Sequence, residues 1–288
     1  MSNPYETNYG TSFGGWFVYD SNGNTVGFET TAHSFRDFGL YPRSKPVISA
    51  PEVQIVKFKV PGRDGEIDAT ESLTGDIHYY NRTGTWEFTQ TGGRLKWDST
   101  YHELKNRLHG QQKTIVIDEE RDSYYVGRIT VEEPSYDSKR GVAYFTLTAD
   151  LEPYKKSFTK TTEPWLWDTF SFETGVIPEY MGKTLIAEPG PVSAITWTVT
   201  GSRMPVVPHV ILEKFTSEET PNIEFTYSYT EDGVAHTRTI SLDVGDNVDK
   251  LPELVIRQGI TYTFYFAGVQ DDPTGRGYVS ISYREGWL

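Results

Sequence analysis

The chain has 288 residues, no cysteine and a formal net charge of −13, from 40 acidic and 27 basic side chains. The length predicts about two domains, and the lack of cysteine excludes disulfides, thiolate metal sites and thiol catalysis. The negative charge disfavours binding to nucleic acid or to an anionic membrane, and no apolar stretch approaches the roughly 20 residues of a membrane span.

The first part of the chain is polar and then continues in short strands. Its first ten residues, MSNPYETNYG, contain no basic segment followed by an apolar one, so no classical signal peptide is predicted. The stretch Ser21-Asn22-Gly23-Asn24 separates two apolar runs and predicts a β-hairpin. Residues 54–60 alternate between apolar and polar types, which predicts a half-buried strand with an apolar face of Val56, Phe58 and Val60.

Residues 99–109 form the one segment with clear helical periodicity. Tyr101, Leu104 and Leu108 recur at the spacing of one helix face and are expected to pack on a core. Asp98 is expected to cap the helix, because its carboxylate can accept N–H groups of the first turn. Gly110 is expected to end the helix in a left-handed conformation.

The later strands also alternate with period two, which is typical of half-buried antiparallel strands. Tight turns are predicted at 231–233 and 272–275. With 14% aromatic residues and a single helix, the sequence predicts an all-β fold. The alternating sets are Ala143, Phe145, Leu147 and Ala149; Ile195, Trp197 and Val199; Ile223, Phe225, Tyr227 and Tyr229; Ile260, Tyr262, Phe264 and Phe266; and Val279, Ile281 and Tyr283.

A polar stretch between Pro153 and Pro164, rich in lysine and threonine, predicts the domain boundary. Residues 1–157 are therefore expected to form a β-domain that contains the helix. Residues 158–288 are expected to form a β-sandwich.

Several segments of the first half resemble the distal tail protein family of long-tailed bacteriophages, the siphophages. The similarity is dense from about residue 33 to 150 and looser after 160. The sharpest match is VPGRDGEID, from Val60 to Asp68. The other matching segments are HSFRDFGL (33–40), TESLTG (70–75), YNR (80–82), WEF (86–88), LHG (108–110), YYVGR (124–128) and YREGWL (283–288).

This resemblance implies a structural hub of the phage baseplate and not an enzyme. Members of the family have an N-terminal belt domain that closes a ring, usually a hexamer, and a galectin-like C-terminal sandwich. The ring joins the tail tube to the tail-associated fibre or lysin protein and to receptor-binding proteins, and DNA passes through its channel without sequence recognition. The protein is then expected in the virion, at the tail tip, after synthesis in the host cytoplasm. Arg63, Asp64, Asp68 and Arg82 are candidates for subunit contact or for shaping the loop.

The sequence contains few patterns that are typical of catalytic or metal-binding sites. The six histidines form no HExxH or HxH pair, and adjacent carboxylates on a strand point to opposite faces, unlike the carboxylate pair of a glycosidase. Residues 243–249 are rich in oxygen ligands but lack the register of a calcium-binding EF-hand. We therefore predict no catalytic residue, no metal site and no cofactor.

An alternative function is a carbohydrate-binding module that recognises a glycan of the host surface. Trp165, Trp167, Tyr227 and Tyr262 would then stack on sugar rings. The competing interpretation is that these aromatic residues fill the core of the sandwich, since alternation places most of them inward.

Overall fold

The computed structural model describes residues 10–19, 25–72, 74–120, 122–163, 180–186, 194–215, 220–269 and 276–288. The predicted turns at 21–24 and 272–275 lie outside these residues. The described chain consists mostly of strands, with one α-helix, which confirms the all-β prediction. The chain divides into two compact units, Met1–Lys156 together with Leu288, and Ser157–Trp287.

The first unit contains helix α1 (Arg94–Leu108) and the strands that precede and follow it. The strands are β1 (Thr11–Tyr19), β2 (Thr25–His33), β3 (Tyr41–Pro42), β4 (Val47–Ile48), β5 (Lys57–Lys59), β6 (Glu66–Asp68), β7 (Arg82–Thr91), β8 (Gln112–Ile117), β9 (Ser123–Val131), β10 (Ser135–Asp137), β11 (Val142–Leu151) and β12 (Lys155–Ser157), whose last residue begins the second unit. Antiparallel pairing gives the order β2-β1-β8-β9-β11-β7-β3, with β4 also on β7 and β10 also on β11.

The core of the first unit lies on one face of this sheet. Along β11, Ala143, Phe145, Leu147 and Ala149 are all buried, as the alternation predicts. Opposite them on β7, Trp86 and Phe88 are each 1% exposed. Slippage of either strand by one residue would turn its buried set to solvent, so burial fixes the register of this pair.

Helix α1 covers part of the same core but begins earlier than predicted. Leu104 and Leu108 are fully buried and Tyr101 packs against the cluster, which confirms the predicted face. The N-cap is Gly93 and no side chain caps the helix, so the prediction that Asp98 is the cap was wrong. Asp98 lies inside the helix, since the buried Trp97 extends the inward face by one turn. Gly110, with φ of +73°, follows the helix in the predicted left-handed conformation.

The second unit is built from two four-stranded sheets in the part that the structure describes. The strands of this unit are β13 (Thr184–Ile186), β14 (Ile195–Thr200), β15 (His209–Lys214), β16 (Ile223–Glu231), β17 (Val234–Ser241), β18 (Gly245–Asp246), β19 (Thr261–Gly268), β20 (Gly277–Ser282) and β21 (Gly286–Trp287). One sheet has the order β13-β20-β15-β18 and the other β14-β19-β16-β17, and β21 belongs to neither. A 3-10 turn, Val248–Lys250, lies between β18 and β19.

Both sheets bury side chains in one shared cluster, which is the arrangement of a β-sandwich. Phe225 on β16 and Phe264 on β19 are fully buried, and Ile281 on β20 reaches the same core from the other sheet. The turn between β16 and β17 is the predicted one. Asp232 and Gly233 both have positive φ, 50° and 78°, as a two-residue hairpin requires.

Candidate assembly interface

Residues 52–80, here called the arm, leave the main sheet after β4 and lead back to it at β7. The two ends of the arm are held together, because β4 pairs directly with β7. At the root, the N–H of Tyr80 donates to the carbonyl of Glu52 at 2.8 Å, and Val53 bridges to Tyr79. Among the described residues, the arm is therefore a long hairpin whose two ends are hydrogen-bonded to each other at its base.

The far part of the arm is the short β5–β6 ladder. Lys57 lies opposite Asp68 and Lys59 lies opposite Glu66, so opposite charges face each other across the strands. Alternation places the third pair, Phe58 and Ile67, on the other face. The turn is closed by Gly62 and Gly65, whose φ angles of +82° and +78° favour glycine.

The apolar face of the arm is open to solvent. None of the described residues from 52 to 80 is buried, and none belongs to either hydrophobic core. The prediction of a half-buried strand over 54–60 was therefore wrong, since only Lys57–Lys59 is strand and Phe58 is 56% exposed. The exposed apolar side chains of the arm are Val53, Ile55, Val56, Phe58, Val60, Ile67, Ile77 and Tyr80.

The exposed apolar face of the arm is expected to bind another protein chain. A hairpin with strands this short is marginally stable at best in water, and a contiguous exposed apolar patch marks a site of protein association. Complete burial of a side chain such as Phe58 or Ile67 contributes about 1.5–3 kcal/mol. The sequence pattern predicted an extended segment over residues 54–60, but it did not show that no other part of the same chain covers its apolar face.

Three of the four residues predicted for subunit contact or loop shaping lie on the arm. Arg63 and Asp64 are exposed in the turn between β5 and β6. The Asp68 carboxylate accepts hydrogen bonds from the hydroxyl and the backbone N–H of Thr70, at 2.5 and 3.0 Å. These two bonds hold the pKa of Asp68 below its usual value. Asp68 therefore shapes the end of β6, whereas Arg63 and Asp64 remain open for contact.

The fourth residue, Arg82, lies at the root of the arm and points inward. It is 6% exposed, and its guanidinium carbon lies 5.3 Å from the centre of the Tyr125 ring. Its Nε and Nη2 atoms are buried and have no hydrogen-bond partner among the described residues. Burial lowers the pKa of Arg82 and raises that of Tyr125 to about 12. The structure thus separates Arg82 from the three residues on the arm.

The aromatic residues proposed for sugar stacking divide into two groups. Trp165 and Trp167 lie outside the described residues. Tyr227 and Tyr262 are 4% and 1% exposed, and the hydroxyl of Tyr262 donates to the carbonyl of Val255 at 2.8 Å. Neither tyrosine ring offers a face to a sugar, so the stacking hypothesis does not apply to these two residues.

No catalytic or metal-binding geometry is found within the described residues. They contain no cluster of His, Cys, Asp or Glu that could hold a metal ion. In the oxygen-rich segment 243–249, Asp243 forms an ion pair with Lys250 at 2.7 Å, and Asp246 forms a hydrogen bond with His209 at 2.6 Å. Both carboxylates therefore contact side chains of the same chain.

A cleft of about 220 Å³ lies beside β7 in the first unit. Its charged lining residues include Arg43, Lys45 and Glu87. Arg43 lies 3.7 Å from Glu87, and Lys45 lies 3.2 Å from Glu120. These contacts are ion pairs between opposite charges, and they do not form the facing pair of carboxylates that glycoside hydrolysis needs. Helix α1 and the 3-10 turn are both too short and too polar to cross a membrane.

No protein-family model matches the sequence, and no curated protein matches it. Among solved structures, the chain is similar to the Dit protein (gp 19.1) of phage SPP1. That crystal structure is described as a paradigm of the hub adsorption apparatus in phages that infect Gram-positive bacteria. The similarity covers 97% of this chain and 99% of that one, with 14% sequence identity and a TM-score of 0.45. A similarity of this degree assigns no function by itself.

Proposed function

We propose that this protein is the structural hub of a long-tailed phage baseplate. Residues 1–157 act as the ring-forming belt domain and residues 158–288 as a galectin-like sandwich. Six copies close a ring at the tail tip, in the virion. The ring joins the tail tube to the tail-associated fibre or lysin protein and to receptor-binding proteins, with an open channel for DNA. The role is structural and involves no catalysis.

The exposed apolar face of the arm carries this proposal. The chain buries two hydrophobic cores but leaves Phe58 56% exposed, with Val56 at 41% and Ile67 at 38%. The occupant that we infer is a second copy of the chain, because the segments that resemble ring-forming hub proteins run through the arm, from Val60 to Gly75.

The arm also suits a ring better than a closed dimer. It belongs to neither hydrophobic core, and it connects the two-residue strand β4 to its partner β7. If the arm binds a different surface on the next copy, the contact is head-to-tail and repeats until rotation closes the ring. Its polar face, with Lys57 and Asp68, would then remain toward solvent or toward other tail proteins.

The experiment that tests this function is the native mass by size exclusion with light scattering. We expect a mass near six times the chain mass of 32.7 kDa, and a ring with a central hole in negative-stain images. The double variant Phe58→Ser, Ile67→Ser should shift the mass toward a single chain without changing the thermal unfolding of the monomer. The matched control is Leu95→Ser, since Leu95 is 89% exposed on α1 and lies outside the arm.

Two results would contradict the proposal. One is a wild-type chain that stays monomeric at high concentration, both alone and when mixed with the tail tube protein. The other is an arm variant that assembles as the wild type does. Loss of assembly in the Leu95→Ser control would show that removal of any exposed apolar side chain has this effect.

A further inference from the structure

The outer face of the sheet β14-β19-β16-β17 is unusually rich in hydroxyl groups. Along β14, β16 and β19, one set of side chains points toward the core and the other toward solvent. On β17, which is exposed over much of its length, the pairing with β16 places Thr237, Thr239 and Ser241 on the outward side. Most outward residues are threonine or serine, and the others are Glu224, Ala235, Tyr265 and Ala267. Its hydroxyl residues are Thr196, Thr198 and Thr200 on β14; Thr261 and Thr263 on β19; Thr226, Ser228 and Thr230 on β16; and Thr237, Thr239 and Ser241 on β17.

The strand register arranges these hydroxyls in rows that run across the sheet. One row is Thr198, Thr263, Ser228 and Thr237, each directly opposite the next. Neighbouring strands lie about 4.8 Å apart, so successive hydroxyls recur at that spacing. Some of them bond to each other, as Thr226 and Thr239 do at 2.8 Å.

This face is nearly free of charge. Within these four fully described strands, Glu224 is the one charged residue on the outer face, although charged residues make up 23% of the chain. A face without cations does not suit a nucleic acid or another polyanion. A face of hydroxyls also lacks the apolar centre that protein interfaces and lipid surfaces require. What it suits is an uncharged ligand that has many hydroxyl groups of its own.

One aromatic ring lies near the middle of the face. Tyr265, on the interior strand β19, is 40% exposed, and Thr196 and Thr226 lie directly opposite it on the two neighbouring strands. A half-exposed tyrosine ring offers an apolar surface for the C–H groups of a sugar ring. The flanking threonine hydroxyls can both donate to and accept from the hydroxyls of that sugar.

Threonine is also common on exposed strands for a simpler reason, because its branched side chain favours the strand conformation. That preference accounts for single threonines. It does not explain why lysine, arginine and aspartate are missing from all four strands of this face, nor why an aromatic ring stays exposed among the hydroxyls.

We propose that this face binds a neutral polysaccharide, with Tyr265 stacking on a sugar ring and Thr196 and Thr226 bonding to its hydroxyls. The site lies entirely within the second unit and does not depend on ring formation. It also differs from the stacking positions that the sequence suggested, two of which are buried.

The test is native affinity electrophoresis of the full chain in gels that contain dextran, mannan or galactan, with hyaluronan as the charged comparison. We expect at least one neutral polysaccharide to retard the wild type, and hyaluronan to have no effect.

Tyr265→Ala should weaken the apparent affinity about tenfold, which is the size of one aromatic contact. The double variant Thr196→Val, Thr226→Val keeps the side-chain shape and should weaken it severalfold. Tyr41→Ala removes a comparably exposed tyrosine from the first unit and should bind as the wild type does.

Three outcomes would overturn the proposal. The first is a wild type that none of the three neutral polysaccharides retards. The second is retardation that Tyr265→Ala leaves unchanged, and the third is equal or stronger retardation by hyaluronan. Thermal unfolding of each variant shows whether lost binding reflects lost folding. If Tyr265→Ala proves unstable, the two-valine variant decides the result alone.

Discussion

His33 donates a hydrogen bond from Nε2 to Oδ2 of Asp118 across 3.0 Å, and the two side chains are only 15% and 9% exposed. The contacts of the other ring nitrogen, Nδ1, show that Nε2 is the donor. Nδ1 accepts the backbone N–H groups of Phe35 and Arg36, at 3.2 and 3.0 Å, so it carries no proton. The pair therefore ties the turn after β2 to the end of β8.

We predict that Asp118→Ala lowers the free energy of unfolding by about 1–3 kcal/mol, because it leaves the buried Nε2–H without its acceptor. Urea unfolding of the dilute protein, followed by tryptophan fluorescence, measures this change. Asp64→Ala, in the exposed turn of the arm, is the control and should stay within about 0.5 kcal/mol of the wild type. Equal effects of the two substitutions would show that the His33–Asp118 bond contributes nothing.

Glu120 gives a prediction about pH. Burial alone would raise its pKa, but the hydrogen bond and charge of Lys155 at 2.9 Å, and those of Lys45 at 3.2 Å, hold the pKa below the usual 4.5. A carboxylate with a depressed folded-state pKa stabilises the fold above its unfolded value, and this stability is lost as the pH falls through the folded value.

Glu120→Gln should therefore be less stable than the wild type at pH 7, and the difference should shrink as the pH falls below about 4.5. Urea unfolding over a series of pH values measures the two curves. Glu71→Gln, on the exposed arm, is the control and should stay within about 0.5 kcal/mol of the wild type at pH 7. A difference between Glu120→Gln and the wild type that stays constant down to pH 3 would contradict the assignment.

The inward faces of the main strands could be predicted from the sequence because each of those strands has one buried face. The alternation in β11 and in β19 therefore agrees with the observed cores. The same alternation around Phe58 gave a wrong result. Period two reports that a segment is extended, but it does not report whether another part of the same chain covers its apolar face.

Two further positions, Arg82 and the start of α1, have local explanations. Arg82, a candidate for subunit contact or for shaping the loop, shares the inward face of β7 with Gly84, Trp86 and Phe88. The alternation of β7 contains that information. The helix start was placed at Ser99 because Asp98 is a strong capping type, whereas the chain begins the helix after Gly93 without any side-chain cap.

The uncapped start of α1 leads to a stabilising substitution. Gly93 has φ −109° and ψ 166°, and an added side chain would meet open space. The first turn contains no acidic residue, so its free N–H groups face no negative charge. Gly93→Asp should raise the free energy of unfolding by about 0.3–1 kcal/mol.

The neighbouring glycine is the matched control for that substitution. Gly92 has φ +143°, and a side chain there would lie 3.1 Å from Cδ of Lys96. Gly92→Asp should therefore destabilise the protein, although it adds the same charge one residue away. If both substitutions stabilise it, the gain comes from charge alone and not from capping.

Arg82 gives the last prediction. A buried guanidinium whose Nε and Nη2 have no partner loses hydration without compensation, and apolar replacements of buried charges are often neutral or stabilising. Arg82→Met keeps a long flexible side chain over Tyr125 and should leave the dilute protein at least as stable as the wild type in urea unfolding. Arg43→Met is the control, because Arg43 lies over Tyr144 at 4.8 Å but stays solvated, and it should change stability by less than about 0.5 kcal/mol. If Arg82→Met, but not the control, lowers the free energy of unfolding by several kcal/mol, the guanidinium has a counter-charge in the folded protein. Arg82 would then stabilise the root of the arm through that charged contact.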